Sequence, residues 1–220
     1  MPTYNIQGLL QAGCKCINIG ASQTKIESFV NVDISAKADL ATDLSKEKLD
    51  LDSDSVDLIF SNHTLEHIEN LSFCLKELYR VSKNNAIWLF DLPYCTLSEY
   101  HSLNPYHLHD FNEHFFKFYD TSKLKGSASE SNPVDVRTLD VEYRYMKPFH
   151  ILPSKLQDLA RRHLWNTTRD FSVRLRVVKK NSPRDANKLI RATKPKDLKT
   201  LHDEIRSSRI RYSRKSQQEK

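Results

Sequence analysis

The chain predicts an α/β fold built around a mainly parallel sheet. Three observations carry that reading. Short apolar runs rich in β-branched and aromatic residues recur as CINIG, FVNVDI, VDLIF and AIWLFDL. A helical pattern separates the third from the fourth, and strands alternating with helices pair in parallel. The first run ends in a glycine and the second in an acid.

The first strand ends at Gly20, where the missing Cβ lets a ligand approach the backbone. Only six residues separate Ser22 from Phe29, whereas a crossover with its own helix takes about ten or more. A turn or a single helical turn is therefore expected there. The second strand ends at Asp33, whose carboxylate can accept two hydrogen bonds from a ribose diol. Gly20 and Asp33 together follow the logic of a nucleotide-type cofactor site, although G-x-G-x-x-G is absent. The third strand, VDLIF, runs through Ser61 and Asn62 into a His-rich loop. In the following helix Leu71, Leu75, Leu78, Tyr79 and Val81 fall on or near one side, and Asn84 and Asn85 turn the chain into the fourth strand. Beyond the polar loop KLKGSASESNP, residues 123–133, VDVRTLDVEYRYM and FSVRLRVVKK alternate as strands. Between them LPSKLQDLARRHL reads as a helix beginning at Pro153 and Ser154.

INIGAS, FVNVDIS, ATDLS, SVDLIFSNHTLEHI, LKELYRVSK and NPYHLHDF follow one another over about half the chain, residues 16–118. In that order they resemble the class I S-adenosylmethionine-dependent methyltransferases, of the type 11-like branch associated with surface-polysaccharide biosynthesis. The resemblance implies a Rossmann-like fold whose sheet finishes in antiparallel strands. It implies S-adenosylmethionine as cofactor, with Gly20, Ala21 and Ser22 against its methionine part and Asp33 on the ribose hydroxyls. Asp43 would accept from the adenine amino group, Leu44 would flank the ring, and Ser61 and Asn62 would lie near the sulfonium. Ser22 stands where the family usually has a second glycine. Its Cβ disfavours a positive φ, but its hydroxyl can donate to the cofactor carboxylate. The implied activity is O-methylation of a sugar or glycan intermediate. Two alternatives stay open: a catalytically inactive relative that binds a partner, and a nucleic-acid methyltransferase.

Two His-rich stretches could carry chemistry. His63 to His67 match H-x-x-E-H, a zinc-peptidase pattern that needs both histidines on one helix. Only Ser61 and Asn62 separate His63 from the strand, which places it in a loop, so no metal is expected. NPYHLHDFNEHF follows the fourth strand and would cover the open end of the sheet, where ligands bind in such folds. An imidazole there has a pKa suited to taking the proton of an acceptor hydroxyl. His107 is the first candidate and His67 the second. A surface loop of satisfied histidines is the plain alternative.

The composition sets the outer bounds. The chain has 220 residues and four cysteines, too few for a disulfide framework. Cys14 and Cys16 are one residue apart, which is not zinc-ligand spacing. No run of eighteen apolar residues exists, and the N-terminus lacks signal-peptide halves, so a cytoplasmic protein is expected. Residues 181–220 hold 12 Lys or Arg against 5 Asp or Glu, a balance of +7, which leaves −1 for residues 1–180. This predicts a methyltransferase-like domain over 1–180 and a basic, partly helical or disordered tail over 181–220. The tail could meet an anionic membrane surface, an acidic partner or nucleic acid, or remain a solvated extension. Leu198, Leu201 and Ile205 share one side of it.

Overall fold

The computed structural model describes residues 4–21, 24–123, 132–180 and 182–218, with side chains up to Arg209 except those of Glu99 and Tyr100. Among the described residues seven strands form one sheet: β1 Cys16–Ile19, β2 Val30–Asp33, β3 Leu40–Ala41, β4 Val56–Asn62, β5 Ser82–Pro93, β6 Val136–Tyr145 and β7 Thr168–Val177. Their order is β3-β2-β1-β4-β5-β7-β6. The first five pair in parallel, and β7 is antiparallel to both β5 and β6. This is the mainly parallel Rossmann-like sheet with an antiparallel finish. Ser22 and much of the polar loop lie outside the described residues.

Alternation along the central strands builds two cores, one on each face. Ile59, Trp88 and Phe90 join α2 (Leu71–Val81), whose Leu71, Leu75, Leu78 and Val81 all point inward. Asn70 starts that helix by accepting from Phe73 N at 3.1 Å, which satisfies one of the unpaired first-turn donors. On the other face Leu58, Phe60, Ile87 and Leu89 meet Leu9 of α1 (Ile6–Gln11) and Ile190 of a short helix, Lys188–Ala192. The expected helix before β7 is present as Ser154–His163.

Among its described residues the β1–β2 connection carries no helix. Ala21 O accepts from Thr24 N at 2.6 Å, and a turn at Glu27 and Ser28 leads into β2. Asn84 and Asn85 do not end a strand but lie inside β5. The pairing advances two residues on β4, Val56 to Leu58, while it advances five on β5, Ser82 to Ile87, so the turn is a bulge with Asn85 at φ 64°. Asn tolerates that left-handed region better than most residues.

The change of charge near residue 181 is not a change of packing. Pro195–Gln218 is one long helix, α5, and its Leu198, Leu201 and Ile205 are fully buried against the second core. A basic helix can do this because long cationic side chains leave the apolar stripe intact. Ile6 N also donates to Glu204 Oε2 at 3.2 Å, tying α1 to α5. No described helix is long and apolar enough to cross a membrane.

Candidate functional site

The carboxyl ends of β1, β2 and β4 open onto a cavity of about 280 Å³ lined by Gly20, Asp33, Asp43, Leu44, Thr64 and His67, among others. Gly20 is there by necessity. Its φ is +74°, and a Cβ would lie 2.6 Å from Thr64 Cγ2. The turn is pinned on both sides: Gly20 N and Ala21 N donate to Val32 O at 2.9 and 3.1 Å, and Gly20 O accepts from Arg209 of α5 at 3.0 Å. Asp33 Oδ1 accepts from Ser35 N at 2.9 Å while the residue lines the cavity. Beside it Ile34 is 75% exposed and, with Leu44 and Ile68, supplies an apolar wall. Asp43 accepts from Ser45 N at 3.0 Å and pairs with Lys46 at 3.0 Å. The Lys46 hydrogen bond holds its carboxyl below the ordinary range.

Four of the expected cofactor residues thus line one cavity. The other described ones are placed differently. Ala21 is fully buried in the turn behind Gly20, and Ser61 is buried within β4. Asn62 lines a neighbouring cleft instead.

That second cleft, about 480 Å³, is walled by Arg144, Arg169, Arg206 and Arg209, with His63 and one carboxylate, Asp170. Arg144 pairs with Asp170 and reaches Asp91 at 3.1 Å, and Arg169 reaches Asp170 at 2.8 Å. Arg209 binds Thr24 and donates to two backbone carbonyls, Asn62 O at 3.1 Å and Gly20 O at 3.0 Å. Burial lowers its pKa, against the attraction of Asp91 and Asp33. None of these arginines stood out in the sequence, because two strands and a helix far apart in the chain bring them together. Ile34, which directly follows Asp33, was the more visible omission.

The histidines gather between the two cavities. His63 directly follows β4, in the left-handed region at φ 50°, so it is not on a helix, and Leu65–His67 form one 3-10 turn. His67 Nδ1 donates to Tyr106 O at 2.9 Å, and its ring lies edge-on to His107 at 4.7 Å. His107 Nδ1 meets His101 Nδ1 at 2.6 Å. Burial lowers the pKa of His107, with Glu66 opposing and the neighbouring histidines adding to it, so the ring is neutral at pH 7. His109 is committed elsewhere, donating to Ile68 O at 2.7 Å. Burial pushes the thiols of Cys14 and Cys74 up to about 11 and about 12, as befits cysteines that only pack.

Residues 5–90 match the family model described as a methyltransferase domain. No curated protein sequence matches the chain. Among solved structures, a SAM-dependent methyltransferase from Archaeoglobus fulgidus is similar at 16% identity and a TM-score of 0.51, covering 75% of this chain and 87% of that one. An S-adenosylmethionine-dependent methyltransferase from Mesorhizobium loti is similar at 13% identity and a TM-score of 0.43, covering 80% and 93%. With the strand order and the matched structures together, the protein has a class I, Rossmann-like methyltransferase fold, and its residues 5–90 are similar to a methyltransferase domain.

Proposed function

We propose that the protein binds S-adenosylmethionine and transfers its methyl group to a hydroxyl of an anionic sugar or glycan intermediate. The observation that carries this reading is the convergence of Gly20, Asp33 and Leu44 on one cavity at the carboxyl edge of the sheet, where ligands of such folds bind. The residues fit the cofactor: Gly20 leaves room at the turn, Asp33 has a carboxylate suited to a diol, and exposed Ile34 lines the cavity with Leu44 and Ile68, an apolar lining suited to a flat ring. The cofactor, when bound, supplies an activated methyl on a sulfonium. Asp43, engaged with Ser45 and Lys46, shapes that end of the cavity. His67 and His107 would meet the acceptor hydroxyl, and Thr64 above Gly20 would help fix the approach. Alignment of acceptor and methyl supplies most of the acceleration in such a displacement.

Calorimetry with S-adenosylhomocysteine tests the cofactor half. Asp33→Ala should lower affinity about tenfold to hundredfold with unchanged melting. Equal affinities would end the reading.

The acceptor half rests on the arginine cleft beside the cofactor cavity, and its sugar character on the resemblance of the six stretches together to the polysaccharide-associated branch. Four arginines face one lining carboxylate, and a guanidinium fork matches phosphate or carboxylate oxygens. Arg169 is 57% exposed, against 23% for Arg144 and 26% for Arg206, so its loss should spare the fold. Inorganic pyrophosphate should bind the wild type, more weakly as salt rises. Arg169→Ala should cost about tenfold in that affinity without altering S-adenosylhomocysteine binding. Salt-independent or unchanged binding would remove the anionic acceptor.

A further inference from the structure

Glu66 is fully buried, and neither of its carboxylate oxygens accepts a hydrogen bond among the described residues. Burying an unsatisfied carboxylate is costly, and proteins retain one where something charged completes it. The groups around it are imidazoles. His63 Nδ1 lies 3.4 Å and His67 Nε2 3.9 Å from Glu66 Oε1. One ligand atom each from Glu66, His67 and His107 lie within 4.8 Å of one another.

The imidazoles are also set in the right form. His67 Nδ1 is spent on the carbonyl of Tyr106, which can only accept, so the neutral ring presents a lone pair at Nε2. The contact of His107 Nδ1 with His101 Nδ1 at 2.6 Å requires one of the two to carry the proton. His101 Nε2 makes no hydrogen bond among the described residues, but it lies 2.9 Å from Asp110 Oδ1, whose charge favours the proton of His101 on Nε2. His107 is then the donor at Nδ1 and has its lone pair at Nε2. A ring nitrogen held by a carbonyl or by a chain ending in a carboxylate is the outer arrangement of metal-binding histidines.

The geometry points to a divalent cation bound by Glu66, His67 and His107. Two imidazoles and a carboxylate suit zinc or a similar borderline ion, whereas magnesium prefers oxygen ligands. Ligand distances of about 2.1 Å would draw the three atoms to within about 3.5 Å of one another, a contraction of about an ångström that side-chain torsions can supply. This set differs from the peptidase pattern in the sequence: Glu66 is a ligand and not a base, and His107 replaces His63. Three protein ligands leave a position open. His67 lines the cofactor cavity and His63 the arginine cleft, so the site stands at their junction. There a coordinated hydroxyl loses its proton to solvent more readily. That catalytic role rests on the proposed function, whereas cation binding itself does not.

The test uses the full chain stripped with a chelator and titrated calorimetrically with zinc chloride alone, then with manganese and magnesium chlorides. One equivalent of zinc should bind, magnesium should not compete, and the melting temperature should rise with zinc. Glu66→Gln and His107→Ala should each weaken zinc at least about a hundredfold. Asp110→Asn, acting through His101, should weaken it about tenfold. Metal-free melting close to wild type in any one variant is enough to separate lost ligation from lost folding. No zinc heat at millimolar concentration, or affinity unchanged in both ligand variants, would overturn the site. S-adenosylhomocysteine titrated in parallel keeps the two proposals apart, since either ligand can bind while the other fails.

Discussion

Deletion of residues 195–220 should yield a chain that no longer folds cooperatively and collects in the insoluble fraction. Leu198, Leu201 and Ile205 are fully buried, and burying each such side chain is worth about 1.5–3 kcal/mol. Their removal also uncovers Phe60, Leu89 and Ile190 in the same core. The sum approaches the whole stability of an ordinary domain, about 5–15 kcal/mol. A graded version is Leu201→Ala, which should cost about 2–5 kcal/mol and lower the melting midpoint by about 2–4 °C for each kcal/mol. Thermal unfolding followed by near-ultraviolet circular dichroism reads both variants. A soluble truncated chain with the wild-type midpoint would mean that α5 does not pack in solution, and residues 181–220 would then be the appendage that their charge describes.

Asp91→Ala should destabilise the fold by about 3–5 kcal/mol, the cost of breaking a buried ion pair from one side. Asp91 is buried at the end of β5, with His202 Nε2 of α5 at 3.2 Å, Arg144 of β6 at 3.1 Å and Arg206 of α5 at 3.4 Å. Ser172 of β7 also binds it. Burial alone would raise its pKa, but His202, Arg144 and Ser172 outweigh that and hold the carboxyl well below the usual range. Its stabilisation is therefore complete above the unfolded value of about 3.9 and is lost as pH falls below it. Denaturant titrations from pH 7 down to pH 3 should show a constant gap between wild type and Asp91→Ala that begins to narrow, by about 1 kcal/mol, at the acid end. A gap that does not narrow there would show that the charge is not what the cluster requires.

Most of the fold was legible because its signals are local. Apolar runs named the central strands, and the short gap before Phe29 ruled out a first crossover helix. Gly20 and Asp33 could be read as site residues because each sits at a strand end, where position alone brings it to the sheet edge. The packing of α5 was not legible for a physical reason. Leu198, Leu201 and Ile205 gave the apolar stripe, but the cations around them dominate composition, and nothing in a charge count says that Arg206 and Arg209 turn inward. The arginine cleft and the Glu66 cluster arise from tertiary neighbours: Arg144 is 53 residues from Asp91, and His107 is 41 from Glu66 by sequence number. The β3 strand, two residues long, is too short to leave a pattern.

His63 carries one further consequence. A histidine at φ 50° stands where glycine would be at ease, and such backbone costs about 1–3 kcal/mol unless the surroundings impose it. The chain uses glycine sparingly, four times in 220 residues, but it had that choice here. A search for thermal robustness alone would exchange His63 early and gain from it. The imidazole between Glu66 and Asp170 would be the thing given up, so position 63 is where selection for durability and selection for chemistry pull in opposite directions.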